Sequence, residues 1–174
     1  MLKLLALIGV LAILAGIGTA VFFFGGFYSV ATTAAEPEIV NWALVKVRMA
    51  SVARHATDAP PNSLDSPAML RAGARGFSEH GCTNCHGGPG IEWAKFSEGL
   101  RPDPPDLKEV VNERTPAQLF WVIKNGINMT GMPGFGEMPD PEIWSIVAFL
   151  KKLPTVSDDD FKIWSAAAAG APNP

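Results

Sequence analysis

Cys82-Thr83-Asn84-Cys85-His86 decides how this chain is read. Two thiols at C-x-x-C spacing with a histidine directly after them form the attachment pattern of a c-type haem. Each thiol is placed to add to one of the two vinyl groups of a single porphyrin, and the histidine then lies under the iron as its proximal ligand. The chain has 2 cysteines in all, so no second pair completes a four-cysteine zinc site. A zinc site would have to recruit His55 or His80, and neither stands at a recognisable ligand spacing. A redox dithiol does not need His86. A Cys82–Cys85 disulfide would close a loop too short to restrict the unfolded chain much. The pattern therefore predicts one covalently attached haem C, with its iron, on Cys82, Cys85 and His86.

Toward the N-terminus, Lys3 is followed by an apolar run from Leu4 to Tyr28. As a helix this run reaches about 37 Å at about 1.5 Å per residue. That exceeds the roughly 30 Å hydrocarbon core of a bilayer, which predicts a single transmembrane anchor within residues 1–30. Lys3 and the amino terminus favour the cytoplasmic side. The rest of the chain then lies on the periplasmic side of a bacterial inner membrane, where haem attachment is expected. Phe22, Phe23, Phe24, Phe27 and Tyr28 gather at the outer end, where aromatic rings suit the interface. The competing reading is a signal peptide cleaved near the small residues Ala31 to Ala35. The run is far longer than a signal core of roughly 7–15 residues.

Composition agrees with this layout. Of 174 residues, 48% are hydrophobic and the formal net charge is −3. With signs interspersed and no basic run, no nucleic-acid footprint is present. The 15 prolines and 17 glycines, with almost no alternating β-branched runs, predict short helices joined by ordered loops.

Residues 31–64 read as an amphipathic helix and a proline linker. Ile39, Val40, Ala43, Leu44, Val47 and Ala50 recur at helical spacing and are expected to face inward. The helix should end near His55, before Ala59-Pro60-Pro61-Asn62. It is expected to pack on the following domain or to dock a partner subunit. Lipid contact is disfavoured, because three cations face three acids between Glu36 and Asp58. Residues 65–154 form the expected haem domain. Asp65 or Ser66 caps a helix opened by Pro67, with Met69, Leu70, Gly73 and Phe77 inward and a stop at Gly81. Thr115-Pro116 opens a second helix, closed at Lys124-Asn125-Gly126. Asp140-Pro141 opens a third, with Ile143, Trp144, Val147, Ala148 and Phe149 inward and Pro154 at its end. Residues 155–174 read as a solvated tail, in which Asp158, Asp159 and Asp160 are a candidate for steering a basic partner.

The iron needs a sixth ligand. His80 sits on the helix entering the motif and His55 lies beyond the proline linker, so a thioether is better placed. The stretch Gly126 to Gly136 is dense in glycine and proline and suits close approach to a porphyrin face. Met132, restricted by Pro133 to extended conformations, leads; Met129 and Met138 are the alternatives. A thioether favours reduced iron and raises its potential.

Gly76-Phe77, Cys82-x-x-Cys85-His86-Gly87, Pro102 to Leu107, Gly131-Met132-Pro133 and Glu142-Ile143-Trp144 through Phe149-Leu150 together resemble a class I c-type cytochrome. The chain is similar to the membrane-anchored monohaem members of bacterial respiratory and dehydrogenase systems. The resemblance covers roughly residues 65–154 and implies an all-α class I cytochrome c fold. Three to five short helices then surround one covalent haem, behind one N-terminal transmembrane helix. It implies Met132 as distal ligand and a first and last helix crossing near Gly73 or Gly76, Phe77 and Trp144. It also implies a proline carbonyl accepting from the proximal histidine, with Pro89 ahead of Pro102 and Pro104. One departure stands out: Phe77 is five residues ahead of Cys82, where the family usually has four. Trp93, Phe96, Leu100, Leu107, Phe120, Trp121 and Phe135 are candidates for haem-edge packing. Asn128 or Thr130 are candidates near the distal sulfur, and Arg101 or Lys124 for a propionate.

With His86 and a thioether filling both axial positions, such an iron passes single electrons and binds no substrate. The expected function is a tethered carrier, not an enzyme. Its expected partners are the membrane and redox proteins such as a quinol-oxidising complex, a periplasmic dehydrogenase or a terminal oxidase or reductase. Two alternatives stand beside it: a fixed haem subunit of a larger membrane complex, and a haem enzyme or sensor with an open sixth position.

Overall fold

A computed structural model describes residues 1–166 of the chain, which divides into two compact units, Met1–Glu36 and Pro37 onward. The first unit is built on α1 (Leu2–Phe24), which has no charged residue beyond Lys3. Its mean hydropathy is 2.6, and 23 residues make a rod of about 35 Å. Phe22 and Phe23 in its last turn form an aromatic cluster with Tyr28 just past it, the Phe23 and Tyr28 centroids 5.3 Å apart.

Among its described residues the second unit is built of helices and loops with no strand, and the β-type pairing found there is an isolated bridge between Gly88 and Ile91. It contains α2 (Glu38–His55), α3 (Pro67–Glu79), α4 (Cys82–His86), α5 (Leu107–Val110), α6 (Pro116–Asn125), α7 (Asp140–Lys152) and α8 (Asp158–Ser165). Local chemistry sets most of the starts. The Ser66 side chain accepts from the Met69 N–H before Pro67. Thr115 and Gln118 make a reciprocal capping box at α6. Caps of this kind contribute about 1 kcal/mol each.

The core is the crossing of α3 on α7. Gly73 lies against the backbone of α7, so a Cβ there would overlap the Ser145 carbonyl and stand 2.9 Å from the Phe149 Cβ. Gly76 faces Ile146 one turn on. Phe77 packs on Phe149 with centroids 5.4 Å apart. Trp144 turns instead toward α6 and stacks on Phe120 at 4.2 Å. We expect Gly73→Ala to destabilise the domain by about 3 kcal/mol, because the overlap is with backbone that cannot rotate aside. Thermal unfolding measures this, with Gly99→Ala as the control, since a Cβ at Gly99 meets nothing within 4 Å.

Two expectations fail here. The inward face expected for α2 points away from the domain: Ile39, Leu44 and Val47 are exposed, and Val52 is the buried residue. The helix packs on α6, where the His55 ring stacks on Trp121 at 5.9 Å; Val52 is buried and Val45 and Met49 are half-buried. It carries apolar residues on both sides, so periodicity alone does not pick the packed one. The expected solvated tail is also wrong over its first part. Ser157 caps α8 by accepting from the Asp160 N–H. Phe161 is then buried against Phe149 and Phe77, with centroids 5.4 and 6.4 Å away. The alanine-rich stretch from Ala167 on lies outside the described residues.

Candidate haem site

Gly81, with φ of 73°, turns the chain at the end of α3 and starts α4. Positive φ is cheap for glycine alone, so this residue sets the angle at which the motif leaves the core. On a helix, positions i, i+3 and i+4 share one face. Cys82, Cys85 and His86 therefore present both thiols and the imidazole to the same side. Both thiols are free and half-buried. Burial pushes the Cys82 thiol up to about 11; a backbone hydrogen bond opposes the rise and Cys85 adds slightly to it. The side chain packs against the core beside α3.

The imidazole is held by Nδ1, 3.1 Å from the Pro105 carbonyl oxygen. A carbonyl only accepts, so Nδ1 carries the proton and donates it, and Nε2 keeps its lone pair. Burial lowers the His86 pKa below its ordinary value, against the raising effect of that hydrogen bond. The ring is thus neutral at pH 7, the form that ligates a metal. The acceptor corrects the expectation of Pro89, Pro102 or Pro104. Pro89 is fully buried next to the motif, while the segment ending at Pro105 returns to the histidine just before the Asp106 cap of α5. A cleft of about 610 Å³ opens beside His86, lined among others by Trp93, Leu107, Lys108 and Leu153. Trp93 and Phe96 are exposed at 53% and 62%, large rings with little protein covering them.

The loop after α6 carries the methionines. It is tied at its neck by Ile127 N–H donating to the Met132 carbonyl (3.2 Å) and Phe135 N–H donating to the Ile123 carbonyl (3.0 Å). Gly126 and Gly134 pass so close that a Cβ on either would strike the other strand of the loop. Inside it, the Thr130 hydroxyl donates to the Ile127 carbonyl at 2.7 Å and accepts from the Met132 N–H at 3.1 Å. Leu100 packs on Gly131. The three candidate methionines separate clearly. Met138 is 8% exposed and belongs to the core. Met129 is 86% exposed and has φ of 58°. Met132 is half-buried on the pinned segment.

Several other candidates are engaged elsewhere. Phe120 is core, Trp121 stacks on His55, and Phe135 lies edge-on to His80 at 6.2 Å. His80 pairs with Glu142 at 2.7 Å, so neither spare histidine joins the motif. Arg101 pairs with Asp103, and Lys124 with Asp140 at 2.6 Å. Asn128 accepts from the Met129 N–H. Composition does not foretell the pairings of His55, His80, Lys124 and Phe135, because each depends on an element distant in sequence.

Residues 68–150 match the family model described as cytochrome c oxidase, cbb3-type, subunit III. They form a c-type cytochrome domain. The match runs from the first turn of α3 to α7, so it takes in the crossing, the motif and the methionine loop. No curated protein matches the chain, and no solved structure does either. The cytochrome domain implies covalently bound haem c and electron transfer. The residues here fit that group: two free thiols and a neutral imidazole share one face, and the imidazole borders a cleft lined by the exposed Trp93 with Ile91, Leu107 and Leu153. Among the described residues no cluster of three or more His, Cys, Asp or Glu offers a competing metal site.

Thr130→Val keeps the shape of the methionine loop but leaves the Met132 N–H and Ile127 carbonyl without partners, at a cost of about 1–3 kcal/mol. Were Met132 to hold a haem iron, the expected result would be a weaker methionine–iron absorption band in the ferric protein, lost at lower temperature than in the wild type. Thr130→Ser should restore it.

Proposed function

We propose that this protein is a single-haem, membrane-tethered electron carrier, with the haem bonded to Cys82 and Cys85 and its iron held by His86 and Met132. The observation that carries the reading is the His86 ring. Its proton is fixed on Nδ1 by Pro105, and its free Nε2 lies on the helix face that also bears both thiols. Haem c bound there would supply one-electron iron chemistry, and the protein's part is to set its potential and shield it.

His86 donates to a neutral carbonyl rather than a carboxylate, which leaves the ligand less electron-rich and favours reduced iron. The thioether of Met132 acts in the same direction. The tied neck of the loop keeps Met132 in place, so little rearrangement accompanies a change of charge. Anchoring through α1, with the haem domain on the periplasmic side, confines encounters to the membrane plane and raises the effective concentration near membrane partners. Donor and acceptor would be a quinol-oxidising or dehydrogenase system and a terminal oxidase or reductase. A fixed subunit of such a complex is the second reading, favoured by the subunit description that the family model carries.

Intact mass of the membrane-extracted protein tests the core of this reading. The expected mass is the full chain plus one haem. A mass without haem, or a chain lacking residues before Ala35, removes the covalent site or the anchor respectively. Co-purification of other membrane subunits at fixed ratio would decide for the second reading.

A further inference from the structure

Helix α2 has apolar residues on opposite sides, and the domain uses only one of them. Val45, Met49 and Val52, which share one side of the helix, are half-buried or buried, and the helix packs on α6. On the far side Ile39, Ala43, Val47 and Ala50 run as a stripe at helical spacing, flanked by Val40 and Leu44. Ile39 and Val47 are exposed at 69% and 68%, and Trp42, at the border, at 58%. Single exposed apolar residues are ordinary, but a continuous stripe over three turns marks a contact surface.

The chain itself says what lies near. Between the end of α1 at Phe24 and the start of α2 at Glu38 the connection reaches at most about 45 Å when fully extended. That tether bounds how far the first turn of α2 can move from the bilayer that α1 would span, and so raises its effective concentration at the surface. Ile39, Trp42 and Ala43 lie in the first half of α2, and Val47 and Ala50 follow in the second. Glu36, Glu38 and Asp58 balance Lys46, Arg48 and Arg54, so attraction to anionic lipid is not the driving force and burial of apolar surface is. Tryptophan suits the boundary between acyl chains and water.

We propose that the outward face of α2 lies in the lipid–water interface, with Ile39, Ala43 and Val47 toward the acyl chains and Lys46 reaching back to water. This rests on α1 being a retained membrane anchor. Haem attachment would consume both native thiols, so Val47→Cys in the full haem-loaded chain gives a unique site for a nitroxide label. The protein is placed in nanodiscs of phosphatidylcholine, and Glu113→Cys serves as a water-exposed reference. Collision with oxygen, which concentrates in lipid, is compared with collision with a water-soluble nickel chelate. The expected oxygen-to-nickel ratio at residue 47 is several-fold above that at residue 113, and unchanged when anionic lipid replaces part of the phosphatidylcholine. A ratio equal to the reference overturns the proposal and leaves the stripe to a protein partner absent from the disc. Exclusion of both reagents also overturns it, in favour of a second copy. Protein that elutes free of lipid means that α1 is no anchor, a failure distinct from a water-exposed stripe in a loaded disc.

Discussion

Cys82→Ser/Cys85→Ser yields a chain that loses all its haem on denaturation, whereas wild type keeps one equivalent in the denatured band. The effect is complete, because serine hydroxyls do not form thioethers with vinyl carbons. Each single variant retains one bond and still stains for haem, with an altered visible spectrum because one vinyl group stays unsaturated. The geometry makes the double variant diagnostic. Cys82 and Cys85 lie one helical turn apart on α4, and no other cysteine exists in the chain to take over. Haem that survives denaturation of the double variant would refute the assignment of both residues. The check is an intact-mass spectrum beside a peroxidase-activity stain.

Met132→Ala produces the second large effect, and the neighbouring methionines give it a built-in control. Loss of the thioether should lower the reduction potential by on the order of 0.1 V, part of the roughly 0.8 V range that axial ligation commands. It should also open the iron to cyanide and carbon monoxide, which wild type binds slowly or not at all. Met129→Ala leaves potential and ligand binding unchanged, because that side chain is 86% exposed. Met138→Ala removes a core side chain that is 8% exposed and costs about 2–5 kcal/mol of stability, with the iron's sixth bond intact. Potentiometry and carbon monoxide spectra of the three variants separate these outcomes. A Met132→Ala protein with a wild-type potential would pass the distal role to another residue.

What could be read from the sequence was local. Ser66-Pro67 and Thr115-Pro116 announce helix starts because a cap and its first residues are neighbours in the chain, and the structure places α3 and α6 there. The motif is equally local: its chemistry follows from three side chains on one short helix. The proximal acceptor was not legible in that way. Prolines 102, 104 and 105 follow one another, and which carbonyl reaches His86 depends on the path of the whole segment back from α4. The orientation of α2 failed because a helix apolar on two sides has no preferred one until its neighbour is known. For α8 a signal existed: Ser157 followed by three acids is a helix start, since carboxylates favour the positive end of the helix dipole. Phe161 and Trp164, three residues apart, then supply the face.

Phe161 also bears on the order in which the protein is made. Its ring closes over Gly88, in the loop just after the haem motif, where an added Cβ would meet it at 3.4 Å. On the proposed periplasmic placement the chain would emerge from synthesis and export N-terminus first, so Cys82 and Cys85 would arrive well before residue 161. Until then α3 and α7 lack the cover of α8, and the motif has freedom to present its thiols to the attachment machinery. A protein that folded completely first would offer half-buried sulfurs beneath a closed loop. Biogenesis is therefore expected to join porphyrin to a nascent or open chain, with arrival of the last helix sealing the product.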